Sequence, residues 1–299
     1  MKKKFLKNTT KEALVGYAFI GIWIVGFIWL TAIPLIRSLI FSMSNVSITG
    51  AQGIVVTTIG FGNYIRIFTT DVNFIDDVIT FVQQIILYVP IILIISMLIA
   101  ILLNQKIRFR GFFRSIFFLP VIIASGPVIN ELVSQGAGTV PLIEQYGMLE
   151  TINQVLPSFI AEPIGMLFSE MIMVLWFSGV QIVLFLAGLQ KISTEIYEAA
   201  RVDGASPWES FWKITLPSLK NIILVSSIYT IVMLSTFANN PIISRIRLMM
   251  FDSQGGYGYA SAMAWIYFIL ITIILGVFAL IIAFPKKEDR VKGGKKYVR

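Results

Sequence analysis

The 299-residue sequence contains no cysteine and no histidine. The first absence excludes disulfides, thiolate nucleophiles and cysteine-held zinc or iron–sulfur centres. The second removes the imidazole on which Ser-His-Asp triads, HExxH zinc sites and histidine-ligated haem depend, and so disfavours most membrane enzymes and electron carriers. Charge is scarce too, with Asp, Glu, Lys and Arg making up 13% of the chain. No stretch reads G-x-x-x-x-G-K-[ST], so the backbone cradle for nucleotide phosphates is missing. These absences argue for transport over chemistry, with no catalytic residue, metal site or bound cofactor in this chain. If ATP drives the transport, another chain hydrolyses it.

What is abundant is apolar: 57% of residues are hydrophobic and the mean hydropathy is +0.83, well above a soluble globular chain. Met1 to Glu12 carries Lys2, Lys3, Lys4, Lys7 and Lys11, and an apolar run from about Ala13 to Phe41 follows. A signal peptide has an apolar core of only about 7 to 15 residues, so this run predicts an uncleaved first span. Ser42 to Asp77 is polar, with turn formers at Gly50, Gly53, Gly60 and Gly62, and reads as an extramembrane loop with short helical pieces. Further spans are predicted at about Val78–Leu103, Ser115–Gln135, Ile164–Gln190, Ser218–Ala238 and Gly258–Phe284. A short loop with Arg245, Arg247 and Asp252 precedes the last of them. The expected fold is an all-α membrane protein of six transmembrane helices. Residues 1–77 hold the N-terminal segment, first helix and outer loop, 78–284 the remaining transmembrane domain, and 285–299 a basic tail that reads as disordered.

Basic residues set the orientation. Five lysines precede the first run, four Lys/Arg separate the second and third, four lie in or beside Lys191–Pro217, and seven occupy the tail. Alternate loops hold only Arg66, Arg245 and Arg247, while Gly136 to Pro163 has three acids and no basic residue. Both termini and Lys191–Pro217 are therefore expected in the cytoplasm, as an even number of spans requires.

That polar stretch, KISTEIYEAARVDGASPWESFWKITLP, has the signals of two short helices. Glu195 suits a helix N-terminus, and Ile196, Ala199 and Ala200 share one face. Gly204 permits a turn that a side chain would hinder. Ser206, Pro207 and Glu209 then spell a hydroxyl cap, a proline at the first helical position and a capping-box glutamate. Trp208 stands within that box, Phe211, Trp212 and Ile214 follow it, and the hairpin reads as a docking surface.

Ionisable and polar groups at membrane depth are the candidates for a solute pathway. Glu131 and Glu170 fall in the outer halves of spans three and four, accompanied by Asn130, Ser134, Trp176, Ser178 and Gln181. Polar groups beside an aromatic ring suit a sugar, and such groups also hold helices together. The GYG at Gly256–Gly258 lacks the lead of a potassium filter.

Glu198-Ala199-Ala200, Gly204 and Leu216-Pro217 stand in the EAA–G–LP pattern that resembles the signature of permease subunits of bacterial binding-protein-dependent ABC importers. The run from Leu186 to Trp208 is most similar to the carbohydrate-uptake branch, the maltose and glycerol-phosphate type. FGNYIRIF at 61–68, RSIFFLP at 114–120 and GYASAM at 258–263 agree with it. Ser193 stands where the family commonly has proline, and should cap a helix equally well. The resemblance implies a type I importer permease fold, non-catalytic, multi-pass in the bacterial inner membrane. It implies a second homologous permease as a heterodimer partner, two copies of a cytoplasmic ABC ATPase that bind ATP and Mg, and an external solute-binding protein. The coupling residues it implies are Glu198, Ala199, Ala200, Asp203, Gly204, Ala205, Trp208, Phe211, Trp212, Leu216 and Pro217. The alternatives are a secondary transporter or channel run by an ion gradient, and an ABC importer permease for a non-sugar solute. No central-depth carboxylate or histidine offers the first a proton relay.

Overall fold

The computed structural model describes residues 2–49, 53–105, 111–112, 115, 131, 154–155, 157, 161, 164–165, 171–237, 240–252 and 255–283. The predicted third span, the acidic segment after it and the basic tail lie almost wholly outside these residues. The chain divides into two compact units, one of Met1–Asp77 with Pro241–Ile269 and one of Val78–Asn240 with Leu270–Arg299.

In the first unit, α1 (Lys2–Phe27) continues through a π turn at Ile28–Ala32 into α2 (Ile33–Ser42) without leaving helical geometry. The helix thus begins earlier than the apolar run, taking in the N-terminal lysines. The following loop differs from expectation: it holds an antiparallel pair, β1 (Ser44–Thr49) and β2 (Gly53–Thr58), with Val46 opposite Val56. Val, Ile and Thr make up half of β1 and nearly all of β2, and their branched side chains suit a pleated surface, which overrides the helical reading. Only α3 (Gly62–Thr70) is a short helix of the expected kind. The predicted loop before the last span is largely a helix, α11 (Pro241–Phe251), begun by a proline whose missing N–H costs nothing at a first turn. The last span, α12, runs Gly256–Ala283.

GYASAM provides this unit's closest packing. Tyr259, Ala260, Ala262 and Met263 are buried, and any Cβ on Gly258 would run into the carbonyl oxygen of Ser44. Asn63 of the FGNYIRIF segment is buried and donates to the carbonyls of Ser42 and Ser44, each at 3.0 Å. The Tyr259 hydroxyl donates to Asp71 at 2.9 Å, the Arg66 guanidinium lies 4.6 Å from the Tyr259 ring centre, and Arg245 pairs with Asp77. The Asp77 hydrogen bond raises the Arg245 pKa further.

The second unit takes in most of α4 (Val72–Asn104), which starts before the predicted second span, together with α5 (Met171–Phe177), α6 (Gly179–Leu189) and α10 (Lys220–Ser235). Ala100, Leu103, Ile182, Phe185, Leu186, Leu189 and Leu219 form one core cluster, and Tyr88, Ile92, Val174 and Phe177 another. The described part of the predicted fourth span runs through Ser178 with helical hydrogen bonds on both sides of it, and the Ser178 hydroxyl also donates to the Val174 carbonyl at 2.7 Å. Val15–Ser42, Val72–Asn104 and Gly256–Ile282 are long and apolar enough to cross a membrane. The bent pair Pro207–Ser218 and Lys220–Ser235 passes as a fourth if taken as one span.

Candidate functional site: the Lys191–Pro217 hairpin

The stretch Lys191–Pro217 folds as two arms fixed by local hydrogen bonds. The first arm, α7 (Thr194–Val202), opens on Ser193, whose side chain accepts from the Glu195 N–H at 3.3 Å, so serine does cap where the family commonly has proline. Its end is a Schellman motif: the Ala205 N–H reaches the Ala200 carbonyl at 2.9 Å and the Gly204 N–H reaches Arg201 at 3.1 Å. Gly204 sits at φ +81°, in the left-handed region that side chains resist. The spacing from Ala200 to Gly204 is thus the spacing that closes this turn.

The second arm starts with the full capping box. Glu209 N–H donates to the Ser206 hydroxyl at 3.2 Å, and Ser206 N–H donates to the Glu209 carboxylate at 3.0 Å. Hydrogen bonds from the Ser206 backbone and hydroxyl, and then the charge of Lys213, hold that carboxyl below its usual range. The arm is not one α-helix. After α8 (Pro207–Ser210) it widens to a π turn at Phe211–Thr215 and closes in α9 (Leu216–Ser218), which meets α10 at a 66° bend. Leu219 at the bend is fully buried. The two arms are tied by the Tyr197 and Thr215 hydroxyls, 2.8 Å apart.

Trp208, Phe211 and Trp212 form one ring cluster with centroids 5.3 to 6.3 Å apart. Trp208 is 69% exposed, Trp212 49% and Val202 88%, so among the described residues an aromatic and aliphatic surface faces outward. Glu198, Ala199 and Asp203 are exposed beside it, Ala200 and Leu216 are half-buried, and Pro217 is exposed at the bend. On its other side the hairpin meets the Asn104 end of α4 across a cavity of about 740 Å³, to which Tyr197, Arg201, Ala205, Phe211 and Thr215 contribute. The hairpin is therefore held by its own hydrogen bonds, with a cavity between it and the end of α4.

The expected pathway residues fall partly outside the described part of the chain. Asn130, Ser134 and Glu170 lie outside the described residues, and Glu131 is exposed. Trp176 packs on the Tyr88 and Ile92 cluster, Ser178 is spent on its own helix, and buried Gln181 donates to the Thr230 hydroxyl at 2.7 Å. In the described structure the last three serve helix packing.

The family profile described as binding-protein-dependent transport system inner membrane component matches residues 67–285. The probable ABC transporter permease protein YesP of Bacillus subtilis is 30% identical over 289 residues, covering 92% of this chain and 91% of that protein. The arabinooligosaccharides transport system permease protein AraP of Halalkalibacterium halodurans is 32% identical over 234 residues, 74% of this chain and 68% of that one. Among solved structures, a bacterial ABC transporter involved in the import of the acidic polysaccharide alginate has a chain that aligns at a TM-score of 0.60 and 17% identity, covering 93% of this chain and 98% of that chain. At that identity it shares the fold.

Proposed function

The chain belongs to the binding-protein-dependent transport system inner membrane component family, and we propose that it is the permease subunit through which an ATP-driven importer passes a sugar or oligosaccharide. The observation that carries this reading is the hairpin: an element held by its own hydrogen bonds, with an exposed aromatic surface, joined by a 66° bend to a membrane helix. Such an element transmits a push. The name of AraP supports the sugar class, and so does that of LacF of Rhizobium radiobacter, a lactose transport system permease protein 31% identical over 65% of this chain and 64% of its own.

In this reading the chain crosses the inner membrane six times with both termini inside. Tyr259, in the first turn of α12, donates to Asp71, just before α4, which is the arrangement expected when both helices start on one side of the membrane. The chain pairs with a second, similar permease, and each hairpin enters a cleft of one of two ATPase subunits that bind ATP and Mg. Trp208, Phe211 and Trp212 anchor it as aromatic hot spots. Closure of the ATPases moves the hairpin across the space at the end of α4, and Leu216 and Pro217 carry the motion into α10. The cavity between the permeases then opens to an external binding protein that delivers the solute.

The absence of native cysteine makes the contact testable. Trp208→Cys in the assembled importer should crosslink to the ATPase subunit and to no other, and the yield should change between ATP-bound and nucleotide-free states. Failure to crosslink in either state would sink the docking assignment.

A further inference from the structure

We propose that α3 is an interfacial helix whose apolar face lies in the lipid headgroup and acyl boundary, on the membrane side where α2 ends. The helix is two-faced. Asn63 and Ile67 are buried against its own unit, whereas Phe61, Ile65 and Phe68 are 64%, 62% and 62% exposed. The intervals of four and three put these three on one stripe free of charge. Arg66 and Thr70 fall on a separate face.

Its depth follows from what holds it. Near its start, Asn63 donates to the Ser42 and Ser44 carbonyls and the Tyr64 hydroxyl to the Ser42 hydroxyl at 2.8 Å, pinning it to the last residue of the span Val15–Ser42. Just past its other end, Asp71 accepts from Tyr259 in the first turn of the span Gly256–Ile282. The next residue, Val72, opens a third span and is itself 66% exposed. A nine-residue helix, about 13 Å long, is thereby tied to three span ends at the level where lipid gives way to water.

Lipid fits this stripe better than a protein partner. A binding protein that docks and leaves would return three large apolar side chains to water in every cycle. A membrane surface covers them throughout, and amphipathic helices bind it by such a face. Aromatic residues are also favoured at that boundary.

The test labels Ile65→Cys, Phe68→Cys and Thr70→Cys with a nitroxide, one at a time, in the full importer with cysteine-free partners. The complex is reconstituted in vesicles of phosphatidylethanolamine and phosphatidylglycerol. At Ile65 and Phe68, collisions with oxygen should exceed those with a water-soluble nickel chelate several-fold. At Thr70 the order should reverse, and all three results should be the same with and without the external binding protein. The readout does not depend on transport. Nickel-favoured collisions at both Ile65 and Phe68 would overturn the proposal by showing a wet face. So would protection from both reagents, which means a protein cover: the binding protein if it requires that protein, the second permease if it does not.

Discussion

Replacing Gly204 by valine is expected to cut solute uptake at least about tenfold while the importer still assembles. The residue sits at φ +81° with nothing within 4 Å of where a Cβ would stand. Crowding is therefore not the issue, and backbone strain is. A β-branched residue forced into that region costs on the order of 1–3 kcal/mol, and about 1.4 kcal/mol is a factor of ten in an equilibrium. The turn can relieve the strain by breaking the Ala205-to-Ala200 and Gly204-to-Arg201 hydrogen bonds, which swings the second arm and its aromatic cluster relative to the first. ATP hydrolysis should then run with little dependence on the loaded binding protein. Asparagine, which tolerates positive φ, should keep most of the uptake. Wild-type uptake by Gly204→Val, measured in proteoliposomes beside Gly204→Asn, would contradict the hairpin's role.

Gly258 should fail for the opposite reason. Its φ is ordinary, but a Cβ there meets the Ser44 carbonyl oxygen, with Phe41 oxygen at 3.1 Å, and backbone atoms cannot rotate away. The start of α12 would have to lift from the Ser44 segment that Asn63 also holds. Overpacking of this kind costs about 1–3 kcal/mol, occasionally more. At about 2–4 °C per kcal/mol for a domain of this size, Gly258→Ala should lower the thermal inactivation midpoint by several degrees. Gly258→Val should leave little assembled protein. Gly16→Ala, in a helix interior with nothing near its Cβ, is the control and should not lower the midpoint. An unchanged midpoint for Gly258→Ala would show that the contact yields at no cost.

The contrast between the two glycines shows what a sequence exposes. Gly204, Ser193 and the Ser206–Glu209 box are legible because each acts within five residues, through a cap or a turn with its own residue code. The three long spans are legible because apolar length is itself the signal. Gly258 is matched by family resemblance alone, since the Ser44 carbonyl that demands it lies more than 200 residues away. Asp77 and Arg245 are likewise partners only in the folded chain. The pairing of β1 and β2 has a readable signal: Val46 and Ile48 alternate with polar residues, Ile54–Thr58 is an unbroken branched run, and Gly53 sits at φ +70°. Pro241 before Ile242 and Ile243 was a helix start of the same readable kind. The π turn at Phe211–Thr215 had no such code. Gln181 shows a further limit: its sequence position suits a solute pathway, and only the folded chain reveals that its amide nitrogen donates to Thr230 while its Oε1 is buried without a hydrogen bond among the described residues.

We propose that this chain moves solute because ATP is hydrolysed by a neighbour that grips its hairpin. The most direct test is uptake of a labelled sugar, the one retained by the co-purified binding protein, into proteoliposomes holding the complete importer. Uptake should require ATP on the ATPase side and the binding protein on the other, and should persist when ion gradients and membrane potential are collapsed. Uptake driven by a proton or sodium gradient without ATP or the ATPase subunits would contradict the account.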